Sequence, residues 1–509
     1  MNLIKSHSIL LSFLLSCKIP IIKDNIDITI QENEMESIKK HLPKIIIIIS
    51  LLMNIAFAYF INRYNILPMK YRILVIGSSI LLMLIYILLY TKGKIKGAFN
   101  VLYLIALLFI VLGQGVAMSY ANTSIRTIDE INKNKNITKT QMSYIVRKDS
   151  PYKSLEDIKD VALATSEADN EETIDKIISE YNDKYKGNLS KVKYVDYITL
   201  AKSLLSGKEE VILLNEGFRQ IIEENIEDFA DQTRILDSVL VEGKSEEKEK
   251  EEVAKDDSFN VYISGIDTYG SLSTVSRSDV NLIISVNPTA GKVLITTIPR
   301  DSYVDIPGIG KDKLTHAGLY GVDKSIATLE GLFGEDIDYY AKVNFTTLKD
   351  LIDLLGGIDV ENPVAFVSTH GNYNFPAGKV HMNGDMALSF ARERYHLNQG
   401  DFDRGKNHIR IIEAIIRKML SPQMLLKFND IANASLKSVN TNMPYDKMIE
   451  LVNRQLDEGT SWKIKSQALE GNGTMDLPSA LMPESRLYMM VPNSESIEKV
   501  SNKIEENNK

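Results

Sequence analysis

Hydrophobic and polar positions divide the chain into two regimes. Residues 45–61, 73–90 and 99–118 are apolar blocks with no acidic or basic side chain inside them. Each is long enough for a helix to cross roughly 30 Å of hydrocarbon. Three such blocks joined by short basic loops read as membrane spans rather than core helices. Beyond residue 120 the pattern changes to short apolar runs separated by polar turns, which is the alternation of a water-soluble α/β protein.

Lysine placement orients the spans. Lys39, Lys40 and Lys44 precede the first, Lys92, Lys94 and Lys96 separate the second from the third, and Arg63, Lys70 and Arg72 lie between the first two. The bias favours a cytoplasmic N-terminus, so an odd number of spans puts everything after Met118 outside the cell. Residues 1–34 read as a doubtful extension. They hold a run at 9–16 too short to span, and Leu14-Leu15-Ser16-Cys17 faintly resembles a lipoprotein cleavage site. Translation from Met35 is the other reading of this segment.

The soluble part divides at a charged stretch, 243–257 (GKSEEKEKEEVAKDD), which lacks apolar anchors and reads as a solvated linker. Before it, 121–242 reads as a smaller accessory α/β domain. Strands are expected at 143–147, 161–165, 192–195 and 210–214, and helices at 154–158, 171–185 and 199–205. Its opening faintly resembles a lobe of extracellular solute-binding proteins. After it, 258–509 reads as a larger domain of the α/β (α+β) class with a mixed sheet, because strands and helices interleave. There a strand is expected at 259–264, a helix at 322–333 and a strand at 339–345. A helix at 348–355, capped by Thr346 and stopped by Gly356-Gly357, follows. Residues 383–390 are expected to be helical, 391–395 extended, and 404–420 a helix opened by Asp403.

The centre of this domain is a hairpin. Strands at 280–286 and 292–299, rich in Val, Ile and Thr, are closed by Asn287-Pro288-Thr289-Ala290-Gly291. A hairpin brings its outer ends together, so Arg277 and Asp279 lie beside Arg300 and Asp301. A second constellation is ARERYHLNQGDFDRGKNH at 391–408. In an extended segment Arg392 and Arg394 face one way and Glu393 the other. In a helix the two arginines would be about 200° apart. Arg404 and His408 sit one turn apart on a helix whose N-terminus adds free N–H donors. Clustered guanidinium groups need an anion, and phosphate matches their planar fork bidentately. Salt bridges to Asp401 and Asp403 are the alternative.

Composition removes several classes. The formal charge of −8 gives no reason to expect nucleic acid. The single cysteine, Cys17, excludes an intramolecular disulfide and a cysteine metal site, and the seven scattered histidines do not suggest zinc.

Seven motifs occur in one order: GIDTYG (265–270), SRSD (276–279), TTIPRD (296–301), DKLTHAGLYG (312–321), LIDLLGGIDV (351–360), FARERY (390–395) and DFDRGKNH (401–408). Together they resemble the LytR–CpsA–Psr family over about 258–420, and the three-span N-terminus with an accessory module is similar to its capsule-type members. The resemblance implies an extracytoplasmic phosphotransferase, anchored in the cell membrane by several passes. Its expected reaction moves a glycopolymer, capsular or teichoic-acid-like, from a polyprenyl-pyrophosphate carrier to peptidoglycan. It also implies a mixed sheet flanked by helices, with a hydrophobic tunnel for the prenyl chain. Residue by residue, Asp267 and Asp279 match the magnesium-binding aspartates. Arg300, Arg392, Arg394 and Arg404 match the pyrophosphate-binding arginines, and Asp301 the PRD aspartate. Arg277 and Lys313 are further substrate-binding candidates. His408 stands where the family usually has Gln; it can still donate to phosphate, with more dependence on pH. Two hard carboxylate ligands suit Mg²⁺, which completes its shell with phosphate and water. A hydrolase of lipid pyrophosphates and a non-enzymatic membrane regulator of envelope polymer remain as alternatives.

Overall fold

A computed structural model describes residues 28–133, 137–244, 258–266, 276–397, 401–425, 427–435, 439–483 and 485–509. The chain divides into two compact units, 1–63 with 69–119, and 64–68 with 120–509.

The first unit holds the helices α1 (Ile28–Arg63) and α2 (Met69–Thr91) and α3 (Gly97–Lys133) as far as Ser119. Within them His41–Arg63, Met69–Thr91 and Gly97–Thr123 are long and apolar enough to cross a membrane, with mean hydropathies of 2.3, 2.6 and 2.4. Most outward side chains are large and apolar, whereas polar groups turn inward. Asn54, Ser79 and Gln114, one from each helix, are buried together. Ser79 Oγ donates to Asn54 Oδ1 at 2.6 Å, and Gln114 Nε2 reaches the same oxygen at 3.1 Å. In hydrocarbon, where apolar contacts do not discriminate between helix faces, such bonds choose which faces meet.

Among the described residues the second unit is built on two large sheets, beside four two-stranded pairs. The first, in the order β3-β2-β4-β1-β5, consists of β1 (Ile137–Arg147), β2 (Ala162–Ser166), β3 (Ser190–Tyr194), β4 (Val211–Asn215) and β5 (Thr233–Lys244). Leu163, Ala164 and Val211 through Leu214 are fully buried, which explains their unbroken apolar reading. Helix α4 (Glu171–Tyr185) starts where Asn170 Oδ1 accepts the Thr173 N–H at 3.0 Å, and it ends as Lys186 turns left-handed. The expected elements of 121–242 are all present within a few residues. The exception is β5, which the pattern did not announce: it pairs antiparallel with β1 from Ile137↔Lys244 to Arg147↔Thr233, across a bulge at Tyr144/Ile145. One core cluster joins Ile145, Tyr197, Leu200 and Phe218 of this sheet's layer to Leu319, Leu481 and Met482. Packing is therefore continuous across the boundary drawn at 243–257.

The second sheet, in the order β10-β9-β6-β7-β8-β11, is mixed. Its strands are β6 (Phe259–Ile266), β7 (Val280–Asn287), β8 (Lys292–Ile298), β9 (Tyr339–Asn344), β10 (Asn440–Thr441) and β11 (Lys463–Ala468). β6 runs parallel to β9 and antiparallel to β7, and β8 pairs antiparallel with β7 and parallel with the edge strand β11. In the expected hairpin Asn287 Oδ1 caps the turn by accepting the Ala290 N–H at 2.9 Å. Helix Val322–Phe333 covers one face, with Leu329 and Phe333 in a core that includes Tyr262, Leu294 and Ile298. The opposite face carries α5 (Phe345–Leu354), α6 (Gly384–Arg392) and α7 (Asp401–Met419).

Three local expectations change. The cap of α5 is Asn344, whose Oδ1 accepts the Thr347 N–H at 2.9 Å, not Thr346; Gly356 and Gly357 do stop it, at φ +73° and +86°. The 391–395 segment is not extended throughout, because α6 continues through Arg392 and only Glu393 turns extended at φ −66°, ψ 134°. Phe390 and Ala391 are buried in the core below α6, and that packing carries the helix two residues further than the expected 383–390. Helix α7 begins at Asp401, so Asp403 lies inside its first turn rather than opening it.

Asp312 and His316 of the DKLTHAG motif prove to be architecture. Asp312 is fully buried, with one carboxylate oxygen 2.9 Å from His316 Nδ1 and the other accepting from Ser479 Oγ and the Leu481 N–H, both at 2.8 Å. A buried carboxylate satisfied on both oxygens ties the C-terminal segment to the end of the hairpin.

Candidate active site

Strand period and register set out the floor of the site. Ile263 and Gly265 of β6, Val280 and Leu282 of β7 and Val343 of β9 fall on one face, through the pairs Ile263↔Leu282, Gly265↔Val280 and Val343↔Gly265. Glycine is required at 265, because a Cβ there would stand 2.7 Å from Val280 Cβ. Helix α7 lies above this face. Together they enclose an apolar cleft of about 100 Å³ whose walls include Leu348, Leu388, Ile411 and Ile412. At one end the walls become charged: Asp279, Arg300, Arg392, Arg404 and His408 line the same cleft. A second, larger cleft of about 550 Å³ opens on β8 and β11, and it shares Asp279, Arg300, Arg404 and His408 with the first. The charged group therefore stands where the two clefts meet.

The hairpin ends assemble part of that group as expected. Arg300 Nη1 binds Asp279 Oδ1 at 2.8 Å, and its Nε lies 3.8 Å from Asp301 Oδ2. Lys313 Nζ binds Asp301 Oδ1 at 2.8 Å. Asp279, Arg300, Asp301 and Lys313 thus form a chain of alternating charge at a largely buried edge, and Asp301 acts on Arg300 from behind. Arg392 adds a positive charge from the end of α6. Its guanidinium carbon lies 4.6 Å from the centre of the Phe345 ring, and the residue lines the cleft. Arg404 adds another from α7.

Three expected members are placed differently. Arg277 is drawn to Glu224 by two bonds of 2.9 Å and does not line either cleft. Its partner is 53 residues earlier in the chain, so adjacency to Asp279 gave no sign of it. Arg394, two residues past the end of α6, stacks on Tyr395 and donates to its hydroxyl at 2.9 Å, outside the lining of both clefts. The equal sharing of a ligand by Arg392 and Arg394 rested on a fully extended segment and goes with it. His408 lines both clefts, but its Nε2 donates to Ala391 O at 2.9 Å, joining α7 to α6. Its neutral form therefore has no second N–H for phosphate. Asp267, the first expected metal ligand, lies outside the described residues.

Glu393 has a role that its position between two arginines did not reveal. Its side chain is fully buried, and its carboxylate accepts backbone N–H groups from Thr369 (2.5 Å), Arg394 (3.0 Å), Tyr395 (2.8 Å) and His396 (3.1 Å). It ends α6 by gathering these donors. Burial raises its pKa, but the hydrogen bonds led by Thr369 and His396 outweigh burial and hold it below the usual glutamate range. Glu393→Gln keeps the shape but turns an amide toward donors, which should cost roughly 1.5–3 kcal/mol. The stability that wild type gains over the variant is present above the ordinary carboxylate pKa and is lost as pH falls through the lowered folded value. Thermal unfolding against pH should therefore show two midpoints that converge in acid; a gap independent of pH would refute the carboxylate's part in it.

The LytR_cpsA_psr family model matches residues 230–506, which includes both clefts and the charged residues that line them. A DNA polymerase processivity factor model matches 97–214, a range that begins in the third membrane-length helix and stops before β5, so it corresponds to neither structural unit. The polyisoprenyl-teichoic acid–peptidoglycan teichoic acid transferase TagU of Bacillus cereus is 36% identical over 205 residues, 40% of this chain and 66% of that protein. The chain thus spans just under two thirds of that relative's length. TagU of Enterococcus faecalis is 35% identical over 222 residues, 43% of this chain and 71% of that protein. The crystal structure of Bacillus subtilis TagV is similar with a TM-score of 0.43 at 29% identity, covering 50% of this chain and 98% of that one.

Proposed function

From the premise that this chain belongs to the LytR_cpsA_psr family, we propose that it transfers an envelope glycopolymer from a polyprenyl-pyrophosphate carrier to peptidoglycan, at the outer face of the membrane. The observation that carries the reading is the meeting of an apolar cleft with a cluster of arginines. A prenyl pyrophosphate has this polarity: a hydrocarbon chain on one side of two phosphates. The apolar cleft takes the prenyl end, Arg300, Arg392 and Arg404 take the pyrophosphate, and the wider cleft takes the polymer and the acceptor.

In the reaction a peptidoglycan hydroxyl attacks the polymer-bearing phosphorus. The new P–O bond forms as the bridging P–O bond breaks, polyprenyl phosphate leaves, and the acceptor's proton passes to water. The chain's own residues act by position and charge. Arginine forks hold the two phosphates in line with the acceptor and spread the negative charge that grows on the leaving phosphate. Asp301, bonded to Lys313, braces Arg300 from behind.

We extend the proposal to magnesium. Asp279 lines both clefts, and one of its oxygens binds Arg300. No group of three or more metal-ligating side chains occurs among the described residues, but Mg²⁺ needs only one or two carboxylates beside phosphate and water. The Asp279 N–H donates to Gly265 O at 2.8 Å, two residues before Asp267 in the chain. Asp279 with Asp267 would hold the ion, which would supply charge neutralisation at the phosphates.

The lysine asymmetry around three spans supports placing 121–509 outside. Right-side-out vesicles carrying the chain and a lipid-linked polymer test both points. Peptidoglycan added outside should acquire covalent polymer as polyprenyl phosphate appears, and external protease should stop it. Lipid phosphate released without attachment would make the protein a hydrolase, and activity resistant to protease would reverse the topology.

A further inference from the structure

Helix α7 has a second charged flank. Arg404, His408 and Ile412 repeat every four residues toward the prenyl cleft, while Asp403, Lys406, Asn407 and Arg410 repeat at three and four along another face. This other face lines a separate cavity of about 390 Å³, closed on its far side by Asn362 and His396. The described groups there carry more positive than negative charge. Lys406 Nζ is 3.0 Å from Asp403 Oδ1, which leaves that carboxylate already engaged. Arg410 is partly buried, and among the described residues its one hydrogen bond goes to the neutral Asn407 Oδ1, at 2.7 Å. Burial lowers its pKa against the weaker pull of Asp403, so the charge is held in an environment that disfavours it. A guanidinium has five donors, and a fork in this state suits an incoming anion better than an uncharged group.

The cavity also has a route to the reaction centre. Lys406 lines both it and the 550 Å³ cleft that contains Arg300, Asp301 and Arg404. On the transferase reading, whatever is attached to the outer phosphate of the clamped pyrophosphate would extend along that cleft. We propose that the Arg410 cavity binds an anionic phosphodiester in the polymer part of the donor, beyond the pyrophosphate, and so selects polymers with phosphate in their backbone over neutral ones. The assignment rests on the transferase reading of the neighbouring site, and it concerns residues with no part in the clamp.

Arg410→Gln removes the charge but keeps a polar side chain of similar reach. Two prenyl-pyrophosphate donors are compared with the full-length protein in detergent, one carrying a glycerol-phosphate oligomer and the other a neutral oligosaccharide. The variant should raise KM for the phosphate-rich donor about tenfold or more, the scale of losing hydrogen bonds to a charged group, and leave the neutral donor within about twofold. An equal change for both donors, or none for either, overturns the proposal. Calorimetry with the lipid-free glycerol-phosphate oligomer and with inorganic phosphate gives an independent reading. Wild type should bind the oligomer more tightly than the free ion, and the variant should lose that preference. Equal binding of the two would assign the cavity to free phosphate and overturn the polymer assignment. Failure of wild type to transfer either donor would count against the transferase reading alone, since the calorimetry still decides the cavity.

Discussion

Arg300→Ala is expected to lower kcat/KM for polymer transfer on the order of 10³-fold, the scale seen when one preorganised donor to developing charge is removed. Two consequences add. The clamp loses one of the two guanidinium groups that border both clefts, and Asp279 loses the partner at 2.8 Å that offsets its charge. Asp279 is only 11% exposed, so its uncompensated carboxylate would then repel the incoming pyrophosphate at short range. Arg300→Lys restores charge without the fork, and should recover only part of the loss because an ammonium cannot bind Asp279 and phosphate in one plane. Steady-state transfer by wild type and both variants checks this. An Ala variant within tenfold of wild type would remove Arg300 from the reaction and leave it an ion-pair partner of Asp279.

The hairpin was legible because its information is local. Alternating apolar residues and an Asn-Pro…Gly turn set the register, and the register alone brings Asp279 to Arg300. Helix α4 and helix Val322–Phe333 were legible for the same reason, from local patterning within each run. What stayed hidden depends on distant partners. Strand β11 (KIKSQA) is polar and short, and it becomes a strand only by pairing with β8 some 170 residues earlier, as in Lys463↔Lys292. Arg277 looked like part of the site until Glu224 drew it away. The segment around Arg392 failed for a subtler reason. Its extended reading was right at Glu393 alone, and burial of Phe390 and Ala391 prolongs α6 and decides which arginine enters the cleft. The seven ordered motifs were enough to indicate the family, which the match over 230–506 shows. They could not separate residues that touch a ligand from those, like Asp312, that hold the frame.

The apolar cleft makes the other large prediction, and it separates lipid recognition from phosphate recognition. Ile412 lines that cleft two helical turns beyond Arg404 and is only partly buried, whereas its neighbour Ile411 belongs to the core. Ile412→Glu therefore puts a carboxylate against the expected path of the prenyl chain with little change to packing. In the empty protein the new charge is solvated. When a hydrocarbon chain fills the cleft it must be stripped of water or the chain must stay out, and burying an ionised carboxylate unpaired costs several kcal/mol. Affinity for a long-chain prenyl pyrophosphate should accordingly fall on the order of 10²–10³-fold. Inorganic pyrophosphate should bind the variant nearly as well as wild type, because Arg300, Arg392 and Arg404 are untouched. Arg300→Ala should show the reverse signature, losing the inorganic ion and the lipid together. Calorimetric titration of both ligands against both variants makes a two-by-two comparison. Should Ile412→Glu bind the long-chain lipid as wild type does, the prenyl group lies elsewhere and the apolar cleft is only a gap beneath α7.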